Sequence, residues 1–142
     1  LIDPKHAETL VTAQRIIDSF EISDHLGADK ILAYSQQFRS FLVDTFQPKS
    51  LFVEYPVEQK LENGQVVKGW IDLLLKTHDG WVIIDHKASI GDEKGLKKQA
   101  LKYTGQLAAY KNAVEAATKK QVKSCWIHFP TAGKLIEVNL FK

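Results

Sequence analysis

The stretch Trp81-Val82-Ile83-Ile84-Asp85-His86-Lys87 most constrains what this chain can fold into. Its apolar residues fill both faces of an extended segment, as in a strand paired on each edge and covered on each side. A polar loop with Gly91 and Gly95 follows. Leu96, Ala100, Tyr103, Leu107, Tyr110, Val114 and Ala117 then recur at spacings of four and three, which predicts one long amphipathic helix. Val122 to Phe129 reads as the next strand, and a helix of that length suffices for a crossover, so the two strands are expected to run parallel.

Two strands precede this unit. Leu51–Leu61 and Val66–Lys76 flank Glu62-Asn63-Gly64-Gln65, a strong hairpin signal read as a two-residue Asn63-Gly64 turn. His78-Asp79-Gly80 joins the second strand to the third. Pro56 marks the first as an edge or a bulge. Leu135–Leu140 is a fifth strand after a turn at Pro130 to Gly133. Upstream, Asp3-Pro4 opens a helix to about Phe20, and Asp29 to Phe46 forms another, with Ile31, Tyr34, Phe38, Phe41, Leu42 and Phe46 near helical spacing and Pro48 as its stop. The expected order is α-α-β-β-β-α-β-β: an α/β mixed sheet with helices on both faces, forming a single domain over 1–142. Residues 1–48 supply the helices and 49–142 the core.

Composition narrows the chemistry. The chain has 142 residues and a net charge of +2, too small to demand a nucleic-acid partner. Its lysines are uneven, however: Lys94, Lys97, Lys98, Lys102, Lys111, Lys119 and Lys120 crowd one segment. Cys125 is the only cysteine, which excludes an internal disulfide and a metal site built from several thiolates. No segment is apolar enough to span a bilayer, so no membrane partner is expected and a cytoplasmic setting is the default. No nucleophile motif or phosphate-binding glycine loop occurs. The chain opens on Leu1 and contains no methionine, which reads as a domain cut from a longer protein.

The end of the third predicted strand carries chemistry. Asp85 and Lys87 share a face because side chains alternate. A two-residue Asp79-Gly80 turn sets Asp72 opposite Lys87 and diagonal to Asp85; a four-residue loop pairs Asp72 with Asp85 directly. In either case all three share one face, with opposed Cβ atoms roughly 5 Å apart. Two acids this close resist ionising together, and a divalent cation relieves that. Oxygen ligands with open water positions suit Mg²⁺ or Mn²⁺, with Lys87 stabilising developing charge on a phosphoryl group. The same residues also fit a structural ion-pair cluster at a sheet edge.

Gly69-Trp70-Ile71-Asp72, Ile84-Asp85-His86-Lys87 and Gln106-Leu107-Ala108-Ala109-Tyr110, in that order, resemble the PD-(D/E)XK nuclease superfamily. The likeness is to its RecB/AddA-type branch, the nuclease domain of UvrD-like helicase–nucleases, and covers roughly residues 50 to 140. The resemblance implies that Asp72 and Asp85 are metal ligands, with the backbone carbonyl of His86 as a third, and that Lys87 is the catalytic lysine. Gln106 and Tyr110 become a helix motif near the site and the DNA. It also implies an exonuclease acting in double-strand-break repair, with a helicase motor in the same parent chain or a partner subunit. On one continuous helix, Lys98 and Lys102 fall beside Gln106, where all three can reach DNA phosphates.

The pattern departs from that family in two places. The family's helical Gly-x-x-x-His-x-x-Leu motif fits neither His6 nor His25. Glu54 resembles a glutamate often found on the strand before Gly-x-x-Asp, but a two-residue Asn63-Gly64 turn pairs it with Leu73, facing away from Asp72. His128, and the tryptophans Trp70, Trp81 and Trp126, read as strand or core residues, and His128, in Trp126-Ile127-His128-Phe129-Pro130, alternates along its strand and can also stand near the site. Two rivals remain: a nuclease-fold module that binds DNA or protein without cutting, and a stand-alone enzyme of the same superfamily.

Overall fold

The computed structural model describes residues 28–140. The predicted helix from Asp3 to Phe20, with His6 and His25, lies outside them. Helix α1 (Ala28–Phe46) leads into β1 (Ser50–Lys60), β2 (Val66–Lys76) and β3 (Trp81–His86), then α2 (Glu93–Leu101), α3 (Thr104–Thr118), β4 (Val122–Phe129) and β5 (Lys134–Val138). The strands form one five-stranded sheet in the order β1-β2-β3-β4-β5. β3 and β4 pair in parallel and the other neighbours are antiparallel, as the crossover argument requires. β3 is central and every one of its residues is buried. β1 is an edge, which is where Pro56 costs no ladder hydrogen bond.

The sheet divides the core in two. On one side Leu73, Leu75, Val82 and Ile84 pack against Phe38 and Leu42 of α1. On the other, Ile71, Leu74, Trp81 and Ile83 meet Leu96 and Ala100 of α2 and Leu107 and Val114 of α3. Burying each such aliphatic side chain contributes about 2 kcal/mol. α1 ends as its sequence dictates: Gln47 takes a φ of 45°, its N–H donates to Val43 O at 3.1 Å, and Pro48 cannot continue the helix.

Two expectations are corrected and one open alternative is decided. The long helix is broken: Lys102 and Tyr103 separate α2 from α3. The Thr104 hydroxyl donates to Leu101 O at 2.7 Å, and Tyr103 has φ −98° and ψ 9°. A side-chain hydroxyl competing for a helical carbonyl, with Gly105 beside it, outweighs an unbroken apolar stripe. The loop between β2 and β3 has four residues, because Lys76 pairs with Trp81 and both the N–H and the hydroxyl of Thr77 donate to Gly80 O. Finally, the first hairpin turns over Glu62-Asn63-Gly64, with Gly64 at φ 85° and Leu61 N–H donating to Gln65 O at 2.8 Å.

That extra loop residue shifts the pairing by one. Val53 opposes Leu73 and Tyr55 opposes Ile71, so Glu54 stands at the position facing Asp72 rather than Leu73. Glu54 itself has a φ of 50°, uncommon for a residue with a side chain. The ladder is interrupted there and both strands change the face they bury. Val53 and Leu73 join the α1 side, whereas Tyr55 and Ile71 join the α2–α3 side.

Candidate active site

The interruption at Asp72 opens the site. The β2–β3 ladder stops at Leu73 and Ile84. The His86 N–H then donates to the side chain of Asp72, at 2.8 Å from Oδ2. The four-residue loop sets Asp72 opposite Asp85, the second of the two pairings open from the sequence. Asp85 is buried, with 3% of its surface exposed. Asp72 is raised from its ordinary 3.8 to about 7, first by burial, then by the hydrogen bond and charge of Asp85; the His86 N–H and the Lys87 charge oppose this only in part. Burial and the neighbouring Asp85 thus disfavour the ionised form of Asp72.

Lys87 supplies the local cation. Its Nζ lies 2.9 Å from Asp85 Oδ2, and its backbone N–H donates to His128 O at 2.9 Å. Burial pulls the ammonium toward its neutral form, but the hydrogen bond and charge of Asp85 outweigh burial, and the pKa is raised overall. The ammonium also sits 4.5 Å from the ring centroid of Tyr103.

Helix α3 closes this side. Gln106 Nε2 donates to the Tyr110 hydroxyl at 3.0 Å. Burial, then the Asp85 charge, raise the Tyr110 phenol. Gly69 explains the first position of Gly-x-x-Asp: a Cβ there would meet Tyr110 Cε1 at 3.3 Å. Asp72, Asp85 and Lys87 therefore come together from β2 and the end of β3, with Tyr110 of α3 against Gly69 of β2 and Gln106 bonded to it.

Other candidates fall elsewhere. Lys98 and Lys102 are exposed on α2 and its C-terminal cap. Their place beside Gln106 was inferred from a continuous helix, and the helix is broken between them and Gln106. The His86 imidazole points away from the acids. Its Nδ1 lies 2.8 Å from Nδ1 of His128, and His128 stacks on Phe38 with ring centroids 3.8 Å apart. Only the backbone of His86 reaches the site. His128 contributes its carbonyl to Lys87, while its ring packs on the far face with His86. Tyr103 was legible only as a core aromatic; the Thr104-Gly105 step was the signal that it could stand at a helix break.

The site's chemistry suits a divalent ion. Asp72 and Asp85 present carboxylate oxygens for such an ion, and among the described residues no group of three or more His, Cys, Asp or Glu side chains gathers. Mg²⁺ and Mn²⁺ accept such sites, completing their coordination with water.

The site also has relatives. The chain is 29% identical over 115 residues to an ATP-dependent helicase/nuclease protein of Oceanobacillus iheyensis, covering 78% of this chain and 9% of that protein. It is 34% identical over 84 residues to the ATP-dependent helicase/nuclease protein of Carboxydothermus hydrogenoformans, covering 59% and 7%. Against its counterpart from Anoxybacillus flavithermus the identity is 38% over 77 residues, covering 53% and 6%. The chain thus spans less than a tenth of the length of these relatives. Residues 4–139 match the PD-(D/E)XK nuclease superfamily, and with the mixed sheet and its paired acids already described, the chain belongs to that superfamily.

Proposed function

We propose that the chain is the metal-dependent deoxyribonuclease domain of a larger helicase–nuclease, an exonuclease serving double-strand-break repair. On this reading residues 1–142 are one domain, with 1–48 as helices and 49–142 as catalytic core. Its partners are DNA and a helicase motor, in the same parent chain or another subunit, in the cytoplasm. The observation that carries the reading is the forced meeting of Asp72 and Asp85 with the Lys87 ammonium 2.9 Å from the latter.

Asp72, Asp85 and the His86 carbonyl would hold Mg²⁺ or Mn²⁺. When bound, the ion supplies Lewis-acid polarisation of a phosphoryl oxygen and a lowered pKa for an attacking water. Asp72 gives up the proton it retains near neutrality, so binding and deprotonation are coupled. Lys87 stabilises negative charge developing on the phosphate oxygens. Gln106 and Tyr110 line the same side and orient the strand, and exposed Lys98 and Lys102 contact phosphates without reading sequence.

A nuclease assay with and without Mn²⁺, comparing the chain with Lys87→Ala, tests this. Metal-dependent cleavage lost in Lys87→Ala supports it; equal cleavage by both, or cleavage persisting in chelator, overturns it. A second reading, a module that binds DNA or protein without cutting, is favoured by the small donor set among the described residues. Mn²⁺ binding that is lost in Asp85→Ala, with cleavage by the parent chain, excludes it.

A further inference from the structure

We propose that Tyr103 is a positioning residue whose ring face holds the Lys87 ammonium at the site; the role rests on the nuclease reading above. β3 ends at His86, so Lys87 lies just past the ladder, with its backbone tied by one bond to His128 O. Four rotatable bonds separate that backbone from the ammonium, and two contacts hold the head: Asp85 Oδ2 at 2.9 Å and the Tyr103 ring centroid at 4.5 Å. A cation within about 6 Å of an aromatic face is attracted by the ring's quadrupole, more so when water is partly excluded. The Lys87 side chain is 24% exposed, which meets that condition.

The two contacts do different work. Asp85 also faces Asp72 and belongs to the proposed ion site, so its charge is divided between partners. The ring face has no such second demand. It fixes the ammonium without neutralising it, leaving its N–H groups to meet a phosphate.

The helix break delivers this ring. Thr104 ends α2 by capping Leu101 O, and Leu107 N–H donates to Tyr103 O at 3.0 Å to begin α3. Lys102 keeps helical dihedrals and Tyr103 does not. Tyr103 is half-buried and also packs against the core on this side of the sheet. Filling the core is therefore the competing explanation, and the substitutions must separate the two.

Tyr103→Phe keeps the ring face; Tyr103→Leu keeps apolar bulk and removes it. With Mn²⁺ and linear DNA, Tyr103→Leu is expected to lose about tenfold in kcat at unchanged KM, and Tyr103→Phe to keep most of its kcat. Proton NMR of the uncut, metal-free protein reads the contact directly. The Lys87 ε-methylene protons, assigned by their loss in Lys87→Arg, should be shifted upfield by the ring in the parent chain and in Tyr103→Phe, and not in Tyr103→Leu. Unshifted Lys87 protons in the parent chain, or a Tyr103→Phe variant as impaired as Tyr103→Leu, overturn the proposal. Should Tyr103→Leu fail to fold, the parent and Tyr103→Phe spectra and rates decide it. Shifted protons with no cleavage by the parent chain overturn the nuclease reading and with it the positioning role; unshifted protons with intact cleavage overturn the positioning role alone.

Discussion

Asp72→Asn should make the metal-free domain more stable while removing its response to divalent ions. In the parent chain the Asp72 carboxyl is raised from 3.8 to about 7 by burial and by Asp85. Its folded pKa exceeds its unfolded one, so its contribution to stability is complete below about pH 4 and is lost as pH rises through about 7. The full shift, from 3.8 to about 7, corresponds to about 4 kcal/mol of penalty on the ionised form. Asp72 retains part of its hydration, which screens the acid pair and leaves about 2 kcal/mol. Asparagine keeps an oxygen for the His86 N–H and carries no charge toward Asp85. Thermal melts in chelator at pH 8 should therefore rise by roughly 6 °C in Asp72→Asn, and the gap should close at pH 4. Adding Mg²⁺ should raise the melt of the parent chain and leave the variant where it was. A variant melting at or below the parent at pH 8 in chelator would refute the claim that the two acids are held against their own repulsion.

Three further outcomes follow from the same coordinates. Burial lowers His86 from 6.5 to about 4, and burial with the neighbouring His86 holds His128 well below its ordinary value, so the unfolded chain takes up these protons first and stability falls as pH drops from 6.5 toward 4. At pH 5 His86 alone should cost about 2 kcal/mol, read as a shifted urea midpoint that flattens in His86→Leu. Gly69→Ala brings a Cβ within 3.3 Å of the Tyr110 ring; the ring must move, and kcat should fall severalfold with little change in melt. Gly80 has a φ of 151°, and a Cβ there would collide with the backbone oxygen of Gln121, so Gly80→Ala should destabilise by about 3 kcal/mol in denaturant titration without changing metal affinity.

The strands and their order were readable because Trp81 to His86 is apolar on both faces and the following segment is long enough to cross over. The convergence of Asp72, Asp85 and Lys87 was readable too, since either loop length leaves them on one face. What escaped was decided by single residues acting against a pattern. The first hairpin uses three loop residues where Asn63-Gly64 favours two, which moved Glu54 opposite Asp72. The Thr104 hydroxyl broke a helix that the apolar spacing made continuous. The His86–His128 contact depends on the pairing of two parallel strands far apart in sequence, and no local spacing encodes it.

The parallel pairing of β3 with β4 also sets an order of events during synthesis. Every residue gathered at the site, from Gly69 to Tyr110, is translated before Val122–Phe129. Until that strand inserts, one edge of the central strand is open and the Lys87 amide lacks the His128 carbonyl that ties it. The acids are thus translated early and fastened late, so a nascent chain cut short of β4 should carry the whole motif yet hold no ordered centre.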